Sequence, residues 1–204
     1  MDRTGKAEAD GSRAPRARDK IFAIAADLFY RQGVRAVGVE TIVKLAGVTK
    51  ISFYRGFPSK TDLVVAYLED RRRSFLRQWD EAFDRYRDDP RAELRAITTY
   101  LAERTTAEGY RGCPFINFCA EFREVDHPGR EVARATKAAL RERFARIAEA
   151  LQVQRPDALA DGLLLLVEGT YAISQTLGGG PAGAGHALVG AADALVEAQA
   201  RRLS

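Results

Sequence analysis

Residues 47–60 read GVTKISFYRGFPSK, and this stretch decides how the N-terminal part of the chain folds. It mixes aromatic, small hydroxyl and cationic side chains, so it can bury very little. Gly47 follows a short amphipathic segment, 40–46, and suits the left-handed residue that ends a helix. Thr49 is placed to cap a second short helix, from residue 50 to about residue 55. The stretch therefore predicts two short helices joined by a tight turn.

The flanking sequence predicts helices on both sides of this pair. Upstream, apolar residues recur at helical spacing from residue 16 to residue 32, and Gly33 follows where a helix C-terminus favours glycine. Downstream, Pro58 ends the second short helix, and Ser59 begins a capping-box pattern. A long fourth helix is expected next, because neither glycine nor proline occurs before Pro90.

The rest of the chain also shows helical periodicity, and no alternating apolar and polar run predicts a strand. Further helices are expected near residues 90–108, from about 113, and at 128–151, 157–177 and 186–202. The predicted fold is therefore all-α with about nine helices. Residues 157–177 are apolar nearly all the way round, so this helix is expected to be covered on both sides.

Two helices joined by a glycine turn form a helix-turn-helix arrangement, whose second helix lies in the major groove of DNA. Phe53 and Ile51 are available to anchor that helix. Its start exposes side chains suited to the groove, which are Thr49, Lys50 and Ser52. The same surface continues with donors for phosphate, on Tyr54, Arg55 and Lys60, and such contacts fix register without reading sequence. Each residue alone also fits a small core or a solvated face, but the combination is more specific than its parts.

The positive charge of the chain is concentrated in its first sixty residues. Residues 1–60 hold 12 Lys and Arg against 6 Asp and Glu, whereas residues 61–204 hold 20 against 22. A nucleic-acid-binding end attached to a neutral body produces this asymmetry, and a solvated basic tail explains part of it equally well.

Residues 1–15 are charged and lack the apolar segment of a secretory signal, so they are expected to form a disordered tail. The longest purely apolar run, residues 163–167, is far below the roughly 20 residues that a membrane-spanning helix needs. Cys113 and Cys119 would point apart on one helix, which excludes a disulfide scaffold and agrees with a reducing compartment. The expected location is the cytoplasm, with no membrane partner.

The segment VETIVKLAGVTKISFYRGFPSKTDLVVAYLE, residues 39–69, is similar throughout to the N-terminal signature of the TetR (tetracycline-repressor-like) family of transcriptional regulators. The resemblance implies a helix-turn-helix DNA-binding domain at 16–62 and a ligand-binding and dimerisation domain at 63–204. Carried over position by position, the family's contacts to phosphate and bases fall on Thr49, Lys50, Ser52, Tyr54, Arg55 and Lys60. The sequence departs from the family pattern at Val39, Ile51 and Gly56.

The function that the resemblance implies is that of a sequence-specific transcriptional regulator, a repressor released from a double-stranded DNA operator by a small-molecule ligand. The helices at 157–177 and 186–202 are expected to form a homodimer interface, because an isologous dimer is the commonest soluble assembly. The plain alternative is that both are ordinary core helices of a monomer.

An apolar cavity between helices, with a few polar groups converging on it, is the default small-molecule site of a helical bundle. The candidate ligand-binding residues are Phe75, Trp79, Phe83, Tyr100, Phe118, Phe122, Glu168, Tyr171 and Gln175. Packing alone explains most aromatic residues at helical spacing, so this set is a shortlist. Glu168 stands out because a carboxylate inside an apolar stretch is costly to bury without a partner.

Other classes of protein fit the sequence less well. The cysteines, Glu121 and His127 show neither zinc-ligand spacing nor a catalytic arrangement, and the glycine-rich segment at 178–185 has no preceding strand. No enzyme activity, metal or cofactor is therefore expected. Two alternatives stay open: an architectural protein that binds DNA without sequence preference, and a regulator that senses redox state through Cys113 or Cys119.

Overall fold

The computed structural model describes residues 16–177 and 184–200, and every regular element in these two ranges is helical. The α-helices are α1 (Ala17–Gln32), α2 (Val39–Ala46), α3 (Lys50–Gly56), α4 (Lys60–Phe83), α5 (Pro90–Thr106), α6 (Pro114–Glu121), α7 (Pro128–Ala150), α8 (Pro156–Thr176) and α9 (Ala187–Ala200). The prediction of an all-α fold with about nine helices is confirmed for this part of the chain. The tail predicted for residues 1–15, most of the glycine-rich segment and the last four residues lie outside it.

Local side-chain contacts define the ends of the N-terminal helices. Gly47 ends α2 in the left-handed conformation, with φ 62° and ψ 38°. The Thr49 hydroxyl caps α3 by accepting a hydrogen bond from the Ser52 amide at 3.1 Å. The Ser59 hydroxyl caps α4 in the same way, accepting from the Asp62 amide at 3.1 Å. The predicted turn and both predicted caps are therefore confirmed.

α1, α2 and α3 pack against one another around a small apolar core. Ile21, Ile42 and Phe53 supply one fully buried side chain from each helix. The start of α4 joins this core, since the rings of Phe29 and Tyr67 meet edge to face with centroids 5.6 Å apart. The division into two domains after residue 62 stays a prediction.

α4 continues from this unit into a bundle formed with α5 to α9. α7 lies against α4, α5, α6 and α8, while α9 lies against α5 and α8. Trp79, Ile97 and Phe144 are among the buried side chains of the bundle core. Gly129 lets α7 begin close to α6, because a Cβ atom there would lie 2.6 Å from the Phe118 ring. Among the described residues, no helix is long and apolar enough to span a bilayer.

α4 ends at Phe83, seven residues before the proline that the sequence suggested as its limit. A 3-10 turn, Asp84–Tyr86, follows directly. The Asp89 carboxylate then caps α5 by accepting a hydrogen bond from the Ala92 amide at 3.0 Å. Local turn formation therefore ends the helix before Pro90.

Within a single chain, α8 is covered on one side, and the prediction that it is covered on both sides stays a prediction. Leu163 and Val167 are buried against the bundle, whereas Leu165 and Leu177 are 72% and 77% exposed. Ile173 is 39% exposed. The outer side of α8 therefore exposes apolar side chains between Leu165 and Leu177.

A buried carboxylate in α5 connects this helix to α7. Glu93 is 0% exposed. It accepts hydrogen bonds from Arg143 Nε at 2.9 Å, and from Arg146 Nη2 at 2.7 Å and Nη1 at 3.2 Å. Because an unpaired buried charge is strongly unfavourable, these two arginines allow Glu93 to occupy the core.

Glu93→Ala is expected to lower the free energy of unfolding by about 1.5–3 kcal/mol, because it removes the buried acceptor of Arg143 and Arg146, while Arg143 keeps its contacts with Asp80 and Asp84. Denaturant unfolding at a fixed protein concentration measures the loss. The matched control is Glu131→Ala, which removes an exposed partner of Arg134 and should cost less than about 1 kcal/mol. Equal losses in the two variants would contradict this account of Glu93.

Candidate functional site

α3 buries its inner side and exposes a polar, partly cationic outer side. Phe53 is 0% exposed, and its ring contacts that of Phe57, which is also buried. Thr49, Lys50, Tyr54 and Arg55 are all exposed, and Tyr54 reaches 52%. We refer to these four residues as the α3 surface. Ser52 is half-buried beside the cap, where its hydroxyl accepts a hydrogen bond from the Thr49 hydroxyl at 3.1 Å.

Two residues at which the sequence departs from the family pattern, Ile51 and Gly56, lie on or beside the α3 surface. Ile51 does not anchor α3, since its side chain is 73% exposed. An exposed apolar group on such a helix suits contact with a thymine methyl group. Gly56 leaves room for Arg18 of α1, whose Cγ would lie 3.4 Å from a Cβ atom at that position. The Arg18 guanidinium stacks over the Phe57 ring at 4.5 Å, so it stands next to the end of α3.

Lys50 is already paired within the helix-turn-helix. Its ammonium donates a hydrogen bond to Glu40 Oε1 of α2 at 2.6 Å, and both side chains are mostly exposed. The contact lowers the pKa of Glu40 and raises the pKa of Lys50, so both groups are charged at neutral pH. A carboxylate therefore stands within reach of any phosphate that approaches Lys50.

Lys60 lies apart from the α3 surface. It is half-buried at the first residue of α4, in a shallow depression of about 360 Å³ that Arg35, Phe122 and His127 also line. Burial lowers the pKa of Lys60, and the nearby Glu121 carboxylate partly offsets that effect. The structure therefore places Lys60 beside α6, while the other five predicted DNA contacts lie on α3 or its cap.

The segment that leads into α6 is hydrogen-bonded to the end of α1. The Tyr30 hydroxyl donates to the Gly112 carbonyl at 3.3 Å and accepts from the Arg111 amide at 2.9 Å. Just beyond α1, the Arg35 amide donates to Glu121 Oε2 at 2.7 Å. Polar contacts thus join the helix-turn-helix unit to the bundle at α6 as well as through α4.

An interior cavity of about 110 Å³ lies between the helices of the bundle. Of the predicted ligand-binding residues, Phe75 from α4 and Tyr171 from α8 line it. Further walls come from Tyr110 and Cys113, before α6, and from Leu140 of α7. The same segment that contacts Tyr30 therefore forms one wall of the cavity.

The other predicted ligand residues lie outside this cavity. Trp79, Phe83 and Phe118 are buried in the core, and the Phe122 ring stacks on Phe118 with centroids 4.8 Å apart. Tyr100 donates a hydrogen bond to Gln78 Oε1 at 3.0 Å. The remaining two are Glu168, which pairs with Lys137 at 2.5 Å, and Gln175, which is exposed and donates to the Tyr171 carbonyl at 3.4 Å.

Three cations on the cavity wall were missed from sequence. These are Arg71 of α4, Arg104 of α5 and Lys137 of α7. Each occupies a polar position of an amphipathic helix, where a solvated side chain is the ordinary expectation. At none of the three positions does the neighbouring sequence distinguish a cation that faces an interior cavity from one that faces solvent.

The two cysteines are free thiols in different surroundings. Cys113 is buried on the cavity wall, and Lys137 Nζ lies 3.4 Å from its Sγ atom. Cys119 is half-buried, and burial raises the pKa of its thiol. Burial therefore disfavours the reactive thiolate form at Cys119. Among the described residues, no cluster of His, Cys, Asp and Glu could hold a metal ion.

Comparison with known proteins identifies a family and several relatives that this chain resembles. Residues 21–67 match the model of the family described as bacterial regulatory proteins, tetR family. The chain is 39% identical over 83 residues to the transcriptional regulator AcuR of Cereibacter sphaeroides, covering 40% of this chain and 38% of that protein. It is 36% identical over 96 residues to the HTH-type transcriptional repressor KstR2 of Rhodococcus jostii, covering 44% of each. The matched segments thus span less than half of these two curated relatives.

The likeness of the fold extends further along the chain. A putative TetR transcriptional regulator from Streptomyces avermitilis superimposes with a TM-score of 0.79 at 29% identity, covering 90% of this chain and 98% of that one. Its coverage includes the bundle as well as the helix-turn-helix unit. Residues 21–67 thus match the tetR family model, and the fold of the chain is similar to that of a putative TetR transcriptional regulator.

Proposed function

We propose that the protein is a sequence-specific DNA-binding transcriptional regulator that represses by occupying its operator and is released by a small-molecule effector. The observation that carries the DNA-binding part is the α3 surface, which presents Lys50, Tyr54 and Arg55 outward on a helix anchored by buried Phe53. The names of the two curated relatives support regulation, and that of KstR2 supports repression.

On this proposal α3 enters the major groove. Thr49, Lys50 and Ser52 lie at its N-terminal end, which is the part of a recognition helix that reaches base edges. Tyr54 and Arg55 supply donors for phosphate oxygens, and Arg18 adds a cation beside the end of α3. Lys60 contributes only if its side chain leaves the depression beside Phe122.

The same proposal includes a homodimer formed through α8 and α9. The outer side of α8 exposes Leu165, Ile173 and Leu177. Ala187, Gly190, Ala194 and Ala198 are exposed on α9 and are small enough for close approach of a second helix. The carboxylates of α9 face α5 instead, where Asp193 pairs with Arg95 and Glu197 with Arg91, both at 2.7 Å. The exposed apolar side chains lie in the second half of α8, whereas its first half carries the exposed Asp157 and Asp161, which pair with Arg141. An exposed apolar patch of this kind is typical of a protein–protein contact.

The cavity of the bundle is the proposed effector site. Its wall includes Tyr110 and Gly112, and the Gly112 carbonyl accepts the hydrogen bond from Tyr30 at the end of α1. A ligand that binds better to one arrangement of this wall therefore has a direct route to the helix-turn-helix unit. Equal affinity for both arrangements would shift nothing.

Selection of bound duplexes from a random pool tests the proposal against an architectural role. A specific regulator enriches a pseudo-palindrome whose half-sites are about one helical turn, or a multiple of it, apart. An architectural protein enriches no sequence and shows only a steep dependence on salt. A redox-sensing role remains the second alternative, and it predicts that Cys113→Ala abolishes the response of DNA binding to mild oxidants.

Arg55→Ala is expected to weaken binding to the selected duplex at least about tenfold, because a hydrogen bond to a charged group contributes roughly 1.5–3 kcal/mol. The slope of log affinity against log salt should fall by about 1 for each phosphate that the variant no longer binds. Fluorescence anisotropy across a salt series measures both. Arg77→Ala is the control, since Arg77 is also exposed but lies on α4; equal effects would place the DNA-binding surface elsewhere.

Glu40→Gln is expected to raise DNA affinity about two- to fivefold. The change frees the Lys50 ammonium from its 2.6 Å pair and removes a negative charge that faces phosphate, and an exposed pair contributes no more than about 1 kcal/mol. Glu103→Gln, at an exposed position of α5, makes the same change of net charge. A gain of equal size in both variants would show that only net charge matters.

Leu165→Glu is expected to convert the dimer into a monomer, because it buries a carboxylate in an apolar interface. Light scattering after size exclusion measures the mass directly. Val125→Glu is the control, because Val125 is 86% exposed between α6 and α7 and lies outside the proposed interface. A Leu165→Glu variant that stays dimeric would rule out this face.

A further inference from the structure

Arg104 is a cation on the cavity wall without an acidic partner among the described residues. Its guanidinium is half-buried and contacts only neutral groups, with Nη1 at 3.1 Å from the Tyr100 hydroxyl and at 3.4 Å from Gln78 Oε1. Buried or partly buried charges in proteins are usually paired, because the loss of hydration is otherwise uncompensated. Arg104 departs from that rule on the wall of the cavity, and it also lines an open depression of about 660 Å³ that Glu81 and Glu108 border.

The other two cations on the wall are each balanced by one carboxylate. Lys137 pairs with Glu168 at 2.5 Å, and Arg71 pairs with Asp70 at 3.1 Å. Neither carboxylate lines the cavity, whose described walls carry no acidic side chain. Counting these pairs as neutral leaves a single positive charge, that of Arg104. The cavity is therefore electrostatically matched to one negative charge.

Elsewhere in the bundle the chain balances its interior charges. Arg143, with a side chain 11% exposed, contacts Glu93 at 2.9 Å, Asp80 at 3.3 Å and Asp84 at 3.5 Å. Arg143 also stacks over the rings of Trp79 and Phe83. Arg143 is therefore paired with carboxylates, whereas Arg104 is not.

The remaining walls are apolar and aromatic. Phe75, Tyr110, Phe115, Leu140 and Tyr171 all line the cavity. Its volume of about 110 Å³ gives room for roughly seven to eleven non-hydrogen atoms, at about 10–15 Å³ for each water-sized group. Inorganic anions would leave these apolar walls without a partner, whereas a small organic anion uses both kinds of surface.

We propose that the cavity binds a small organic monocarboxylate, whose carboxylate pairs with Arg104 and whose apolar body packs against the aromatic walls. A guanidinium can offer a carboxylate two parallel hydrogen bonds, which explains an arginine in this place. The inference rests on the proposed function in one respect, because it takes the cavity to be the effector site. It adds the chemical class of the effector.

The experiment is titration calorimetry on the full chain without DNA, using benzoate, its neutral analogue benzamide, and inorganic phosphate. Benzoate falls within the size that the cavity admits. We expect benzoate to bind at least about tenfold more tightly than benzamide or phosphate, because only benzoate satisfies both the charge and the apolar walls. This comparison uses the unmodified protein and does not depend on how any variant folds.

Variants then locate the charge. Arg104→Gln should lower benzoate affinity at least about tenfold and remove the preference over benzamide, while Arg104→Lys should retain part of that preference. Arg77→Gln removes an exposed cation of α4 that lies outside the cavity and should leave benzoate affinity unchanged. Thermal unfolding of each variant checks that the fold is intact.

The following outcomes would overturn the proposal. They are equal affinity for benzoate and benzamide, unchanged benzoate affinity in Arg104→Gln, and the absence of binding by both benzoate and the smaller butyrate at millimolar concentration. Phosphate binding as tight as that of benzoate would assign the site to inorganic anions instead. The proposed function is tested separately, by asking whether benzoate releases the bound duplex. Benzoate that binds but releases no duplex would contradict the proposed function and would leave the proposed ligand class unaffected.

Discussion

The position of the α3 surface depends on the burial of Phe53. A helix of seven residues is too short to be stable on its own, so its orientation comes from tertiary contact. Phe53 is fully buried against α1 and α2, and burying such a side chain contributes roughly 1.5–3 kcal/mol. Phe57 adds a second buried ring at the end of the helix, covered by Arg18. Because the inner side of α3 is fixed in this way, Lys50, Tyr54 and Arg55 lie on its outer side.

The bundle is organised by a second constraint, which is the cost of placing charge away from water. At Glu93 the chain meets that constraint internally, with two arginines of α7 around one carboxylate of α5. At Arg104, on the same helix, it does not. A balanced charge stabilises one arrangement of helices. We propose that an organic anion supplies the missing negative charge at Arg104.

The sequence predicted those features of the fold that arise from neighbouring residues. Gly47, Thr49 and Ser59 act within one helical turn, so the turn and the caps were readable directly. Periodicity gave all nine helices of the described residues, although α4 stops at Phe83 because a polar turn intervenes. The exposed position of Ile51 was missed, since a two-helix pattern does not fix which apolar residue faces the core.

The cavity could be predicted only in part, because it is formed by residues far apart in the chain. Aromatic spacing identified Phe75 and Tyr171 but also Trp79 and Phe118, which are core residues. Nothing local separates the two groups, since both lie on the inner side of a helix. The converse problem applies to three cations, which the sequence predicts to be solvated and the structure places on the cavity wall: Arg71, Arg104 and Lys137. Whether a polar position faces solvent or an interior space depends on where the other helices of the bundle lie.

The Tyr30 hydroxyl connects α1 to the wall of the cavity. This contact bears on the effector concentration at which the protein would respond in the cell. Thermodynamic linkage is reciprocal, so a site that releases its operator on binding effector must bind effector less tightly while on DNA, by the same factor. Additional operator copies then act as competitors of the effector. On the proposed function, the effector concentration needed for a response would rise with the number of operator sites, and Tyr30 would be one residue that connects the two sites.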